Sequence, residues 1–239
     1  MVVARTLLLD CGNSSIKYQL GAEGGRLQSA ASVCELVKAR SVAQVVVASV
    51  SVQGQQIKQL LLEMGIGCAV LEVRQGWHGV SLCYENPERL GIDRWLTMVA
   101  LSGNDRDSLV IDAGTALTID LLDRDDQHLG GYILPGLGLM RRSLVDDTFA
   151  LPAVADAGSV DLGRSTDACI ANGTLFALAA TVDATVQRIN RPQLEVVWTG
   201  GDAQRIRAFS QYSGECRPDL VLDGIKRLLA DTSYMETLL

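Results

Sequence analysis

The chain has 239 residues, 48% of them hydrophobic and 21% charged, with 28 acidic against 21 basic side chains and a formal net charge of −7. That is enough apolar chain for one large domain or two small ones, in a composition that is neither disordered nor fibrous. The acidic balance argues against a broad nucleic-acid or anionic-membrane surface, so an anionic ligand would have to be held by local N–H groups, a few cations and a metal.

Residues 5 to 20 read as strand, tight turn, strand: Leu7-Leu8-Leu9 runs into Asp10, and Cys11, Gly12, Asn13, Ser14 and Ser15 turn the chain towards Ile16 and Lys17. Gly21 to Gly25 are expected to form the next turn. A short amphipathic helix is predicted near Ser32 to Arg40, and Val45 to Val50 is a β-branched run of buried-strand type. Ile57 to Met64 has a helical apolar face that Gly65 and Gly67 end, and Ala69 to Val73 is read as a further strand.

Residues 74 to 94 change character, being polar, aromatic and broken by Pro87. Long polar segments ahead of a helix are common places for sites. The helix expected next, Trp95 to Leu101, has Asp93 and Arg94 at its start, and an Asp there has an alternative explanation as an N-cap.

Asn104 to Ser108 is read as the boundary between halves, giving domains 1–105 and 106–239. Residues 109 to 122 then repeat the opening construction, with an apolar run into Asp112, a turn at Ala113-Gly114-Thr115, and alternation through Leu117, Thr118, Ile119 and Asp120. In each turn the glycine lets backbone approach a ligand, while hydroxyl and N–H groups can donate to phosphate oxygens and Asp112 faces a cation. One D-x-G turn is usually only a turn. Two in matching contexts, nearly half a chain apart, suggest a duplicated fold with a cleft between its halves.

Gly130 to Gly136 is expected to be a shaped loop, followed by a helix from Leu137 to about Asp147, and Pro152 to Asp161 a surface loop. Gly163 to Thr166 precedes a long helix, Asp167 to about Ile189, whose small residues suggest close packing within the chain or across a dimer. Leu194 to Trp198 is a strand entering the turn Thr199-Gly200-Gly201, Pro218 to Asp223 a last short strand, and Gly224 to Leu239 a terminal helix. No uninterrupted apolar run reaches the ~20 residues of a membrane span, and the start of the chain lacks the pattern of a secretory signal. Six cysteines without a C-x-x-C or a histidine-spaced metal pattern point to the reduced cytosol.

In their order these motifs resemble the type III pantothenate kinases of the acetate kinase/sugar kinase/Hsp70/actin superfamily. The matching stretches are Asp10 to Lys17, Tyr84 with Asn86-Pro87, Gly91 to Arg94, Asp112 to Asp120, Gly130 to Gly136, Gly163 to Thr166, and Thr199 to Gly201. One departure is Ser14, where the family usually has Thr. The resemblance implies an α/β, duplicated actin-like (ribonuclease H-like) fold with an ATP cleft between domains. It implies transfer of the γ-phosphoryl group of ATP to pantothenate, the first step towards coenzyme A. Asp10, Cys11, Gly12, Asn13, Ser14, Ser15, Ile16 and Lys17 would form the first phosphate loop, and Thr115 would contact ATP. Asp93 would be the general base, with Tyr84, Gly91, Ile92, Arg94 and Thr166 lining the pantothenate pocket. Asp112 would hold a monovalent cation, K+ or NH4+, and Mg2+ would accompany ATP. A cytoplasmic homodimer is implied, with no nucleic-acid or membrane partner. The alternatives are a regulatory protein of the same fold, in which Asp10, Asp93, Asp112 and Asp120 would not all be needed, or a kinase with another acceptor.

Overall fold

A computed structural model describes residues 6–13, 15–146 and 159–231. The chain divides into two compact units: the first runs to Ser102 and resumes at Asp219, and the second spans Gly103–Pro218.

The first unit holds a five-stranded sheet of β1 (Thr6–Cys11), β2 (Ile16–Leu20), β3 (Glu23–Leu27), β4 (Gln44–Ser49) and β5 (Gly67–Val70), in the order β3-β2-β1-β4-β5. The three leading strands pair antiparallel, and β4 and β5 join parallel to β1. Parallel addition needs crossovers, supplied by α1 (Ala30–Arg40) and α2 (Gln53–Glu63). Val33 and Val37 of α1 and Ile57 and Leu61 of α2 bury against Leu7, Leu9, Val45 and Val47. The half ends with α3 (Ile92–Leu101).

The second unit repeats this plan. Its strands are β6 (Ser108–Ala113), β7 (Ala116–Leu122), β8 (His128–Pro135), β9 (Glu195–Thr199) and β10 (Glu215–Cys216), ordered β10-β9-β6-β7-β8. Read from the β8 edge this is the first sheet's order shifted by five, with the same parallel and antiparallel pairings. After α4 (Leu137–Asp146), α5 (Thr166–Ile189) and α6 (Ala203–Arg207) serve as crossovers, and α7 (Leu220–Ala230) closes the repeat as α3 closes the first. Leu175, Leu178 and Val182 of α5 pack on Leu109, Ile111, Leu117 and Ile119. The duplicated actin-like α/β fold expected from the sequence is the observed one.

Four local expectations are corrected. Gly24 and Gly25 belong to β3, where a side chain on Gly25 would meet the Tyr18 ring at 2.8 Å. The expected loop Gly130 to Gly136 is largely strand β8, whose register with β7 shifts near Leu121 and Leu122 while Gly130 takes φ +116. Residues 218–223 do not form a strand: Leu220, Val221, Leu222, Ile225 and Leu228 are buried on α7. That helix belongs spatially to the first unit, whereas the expected second half takes in all of 106–239. Its packing there is close: Gly224 lies so near α3 that a Cβ would overlap the Leu96 carbonyl oxygen. Most of the expected loop Pro152 to Asp161 and the expected helix beyond 231 lie outside the described residues.

Candidate active site

β1 delivers Asp10 to the end of the first sheet opposite Lys17 of β2, and Lys17 is in turn opposite Arg26 of β3. Directly opposed residues share a face, so a carboxylate and two cations form one row beside the turn. Burial pushes the Asp10 carboxyl up to about 6; the Lys17 and Arg26 charges oppose this, and the Asp93 and Asp219 carboxylates add to it. The Arg26 guanidinium donates from Nη1 to Ser15 Oγ at 3.1 Å, tying the third strand to the loop. Lys17 Nζ lies 3.9 Å from Asp219 Oδ1 at the start of α7.

The turn presents mainly backbone. Cys11 and Ile16 send their side chains into the core, at 1% and 0% exposure, so only their main-chain groups can meet a phosphate. Burial, reinforced by the Asp10 charge, pushes the Cys11 thiol up to about 12 and keeps it protonated. Ser14 lies outside the described residues.

Gly91 caps α3, and Asp93 stands in its first turn with Oδ1 accepting the Arg94 backbone N–H at 2.8 Å. Asp93 is therefore not the N-cap; its carboxylate folds back over the helix start. Any Cβ at position 91 would stand 2.5 Å from that oxygen, which explains the glycine of Gly-Ile-Asp-Arg. Ile92 is buried beside it. Arg94 is only 5% exposed, and a buried guanidinium needs partners. Its Nη1 donates to Tyr84 Oη at 2.9 Å, and its Cζ lies 5.8 Å from the centre of the Tyr84 ring.

In the second unit Asp112 is the last residue but one of β6, opposite Thr118 of β7 and Thr199 of β9. Glycines pack the neighbouring chain onto this turn. The Gly136 N–H donates to Thr115 O at 2.9 Å, and a Cβ on Gly136 would overlap the Gly114 and Thr115 carbonyl oxygens. Gly200 takes φ +93, and a Cβ there would stand 2.5 Å from Ala113 O and from Asp112 Oδ1. The Asp202 N–H reaches Ala113 O at 2.9 Å. Thr166 is exposed on the first turn of α5, after the N-cap Ser165, whose Oγ accepts the Ala168 N–H at 3.2 Å.

The family model of the type III pantothenate kinases matches residues 6–188. The chain belongs to the type III pantothenate kinase family. A type III pantothenate kinase of Nitrosococcus oceani is 36% identical over 95% of this chain and 94% of its own length. One from Acinetobacter baylyi is 34% identical over 93% and 96%. Among solved structures, a Campylobacter jejuni protein assigned to the Baf family of transcriptional activators superposes with a TM-score of 0.65 at 20% identity, covering 94% of this chain and 97% of that one. The ethanolamine utilization protein EutJ of Carboxydothermus hydrogenoformans gives 0.52 at 14% identity, over 92% and 88%. At these identities both likenesses concern the fold.

Within this pantothenate kinase family member, the first unit brings together Asp10, Ser15, Lys17, Asp93 and, behind Asp93, Arg94 with Tyr84. The second holds Asp112, Thr115 and Thr166. Asp120, grouped with the kinase carboxylates in the sequence, has a structural role: it is 1% exposed, and its Oδ1 lies 2.9 Å from Nε2 of the fully buried His128. Arg26 and Asp219 were not singled out in the sequence. A cation opposite Lys17 could have been found from strand register, whereas nothing local marks Asp219. Among the described residues no group of three or more His, Cys, Asp or Glu side chains is gathered for a metal ion. A magnesium ion that arrives on ATP asks for less, since it is commonly held by one or two carboxylates together with substrate phosphates.

Proposed function

We propose that this chain phosphorylates pantothenate at the expense of ATP, giving phosphopantothenate at the first step towards coenzyme A, with Asp93 as general base and a monovalent cation at Asp112. The observation that carries the reading is the Asp93 carboxylate, oriented by the Arg94 N–H and admitted by Gly91, beside the Arg94–Tyr84 pair. A primary alcohol must lose its proton as the new P–O bond forms. A positioned carboxylate that accepts it contributes typically ~10²–10⁴-fold. Arg94 offers a guanidinium suited to the pantothenate carboxylate.

Phosphoryl transfer proceeds through a loose transition state, so the protein chiefly positions groups and neutralises charge. Lys17 and the N–H groups of the turn at Gly12, Asn13 and Ser15 serve the phosphates, with Thr115 supplying a further ATP contact from the second loop. Asp112 and the adjoining main-chain carbonyls are oxygen donors of the kind that a hard monovalent cation prefers, which supports K+ or NH4+ there. The cation would supply charge neutralisation alone. Cys11, Cys34, Cys68, Cys169 and Cys216 are thiols outside any disulfide, in keeping with a cytoplasmic enzyme, and we infer a homodimer.

The test is a coupled ADP-release assay with pantothenate, ATP and magnesium, run in parallel in potassium, ammonium and sodium salts. The expected result is pantothenate-dependent turnover that requires potassium or ammonium. Equal turnover in sodium would remove the cation from Asp112. Folded protein that releases no ADP with pantothenate in any of the salts would overturn the activity.

A further inference from the structure

Lys17 is placed by more than its own strand. It stands between its register partners Asp10 and Arg26, and its ammonium lies 3.9 Å from the Asp219 carboxylate, with the lysine side chain 16% exposed and the aspartate 60%. Asp219 occupies the N-cap position of α7, yet its side chain makes no capping hydrogen bond. Aspartate is a favoured N-cap because it can accept from the first free N–H groups of a helix. Here that use is forgone, and the carboxylate faces Lys17 instead.

We propose that Asp219 is a positioning residue for Lys17, holding its ammonium at the first phosphate loop ready for the ATP phosphates; the inference rests on the kinase reading above. A lysine carries its charge on a flexible four-carbon stem. With Asp10 alone beside it, the ammonium is drawn towards the partly buried end of β1. A second carboxylate on the solvent side holds it outward. An ion pair of this length, with its carboxylate largely in solvent, is weak. It can therefore orient Lys17 in the empty site and yield to a polyanion. The residue reaches the loop because α7 returns to the first unit and is locked on α3 at Gly224.

The experiment compares the native enzyme with Asp219→Asn and Asp219→Glu, by calorimetric titration with MgATP alone and by steady-state kinetics. Asn also suits an N-cap, so the thermal midpoint should hold. The expected result for Asp219→Asn is MgATP affinity weakened about fivefold, a matching rise in KM for ATP, a smaller fall in kcat and no change in KM for pantothenate. Asp219→Glu should recover most of the affinity. In a Lys17→Met background the Asn substitution should have no further effect. Native MgATP affinity in Asp219→Asn, equal impairment of the Asn and Glu variants, or additivity with Lys17→Met would each overturn the proposal. If the native protein binds MgATP but does not turn over pantothenate, the acceptor assignment fails while the Asp219 comparison is still read from nucleotide binding.

Discussion

Burial sets the Asp10 carboxyl against its own charge. Its folded pKa of about 6 stands above the ordinary 3.8, so between those values the folded state binds more protons than the unfolded chain. The sign follows: stability from this group is fully present below pH 3.8 and is lost as pH rises through 6. Above that, the ionised group costs the fold on the order of 1–3 kcal/mol. Asp10→Asn should therefore stabilise the protein by about that amount at pH 7.5 while abolishing activity, with the gain shrinking as pH is lowered to 5. Urea unfolding at the two pH values measures it; a gain independent of pH would sink the explanation. Asp93 calls for the opposite pattern. Asp93→Asn should lower kcat about 10²–10⁴-fold with the thermal midpoint unchanged, and near-normal turnover would remove it from the base role. Gly91→Ala should imitate it, since the new methyl would displace the carboxylate rather than the backbone.

At the scale of elements, α3 carries Asp93 and Arg94, and α7 is its brace. A methyl at Gly224 would meet the Leu96 carbonyl oxygen, which belongs to helix backbone and cannot swing aside. Gly224→Ala should cost about 1–3 kcal/mol; a thermal melt that showed no drop in midpoint would remove α7 as the brace. Little of this pairing was legible in the sequence. Leu220-Val221-Leu222 is a continuous apolar run, which periodicity cannot divide between buried strand and buried helix. Gly130, Gly131 and Pro135 suggested a loop because nothing local shows that β7 lies alongside to pair with them. Both D-x-G hairpins were legible because alternation, turn chemistry and apolar run agree within a few residues. The site divides in the same way: Asp10, Lys17 and Asp93 announce themselves in short motifs, whereas Asp219 meets Lys17 only once the chain has crossed the second unit and returned.

For the whole molecule, the two sheets share one topology, but their units differ in what they show to solvent. Among the described residues of the second unit, Ile133 is 63% exposed, Phe176 57% and Tyr132 48%. Ile133 and Tyr132 lie on β8, at the edge of its sheet, and an exposed apolar edge invites pairing with another chain. By length and composition α5 could cross a membrane, but half of its apolar window is buried inside the fold. Its open side includes Phe176 and Gly173, and nothing lies within 4 Å of where a Gly173 side chain would begin. A helix face that sets an exposed aromatic ring beside an open glycine suits docking by a second copy, and this supports the homodimer we infer. Light scattering should then give about twice the 25.6 kDa chain mass, falling towards one chain for Phe176→Asp or Ile133→Asp because a charge at the buried centre of an interface has no partner. Val52 of the first unit is 76% exposed, so Val52→Asp is the matched control and should leave the mass unchanged. A native protein that is monomeric at micromolar concentration, or a Val52→Asp variant that dissociates as readily as Phe176→Asp, would move the interface away from α5 and β8.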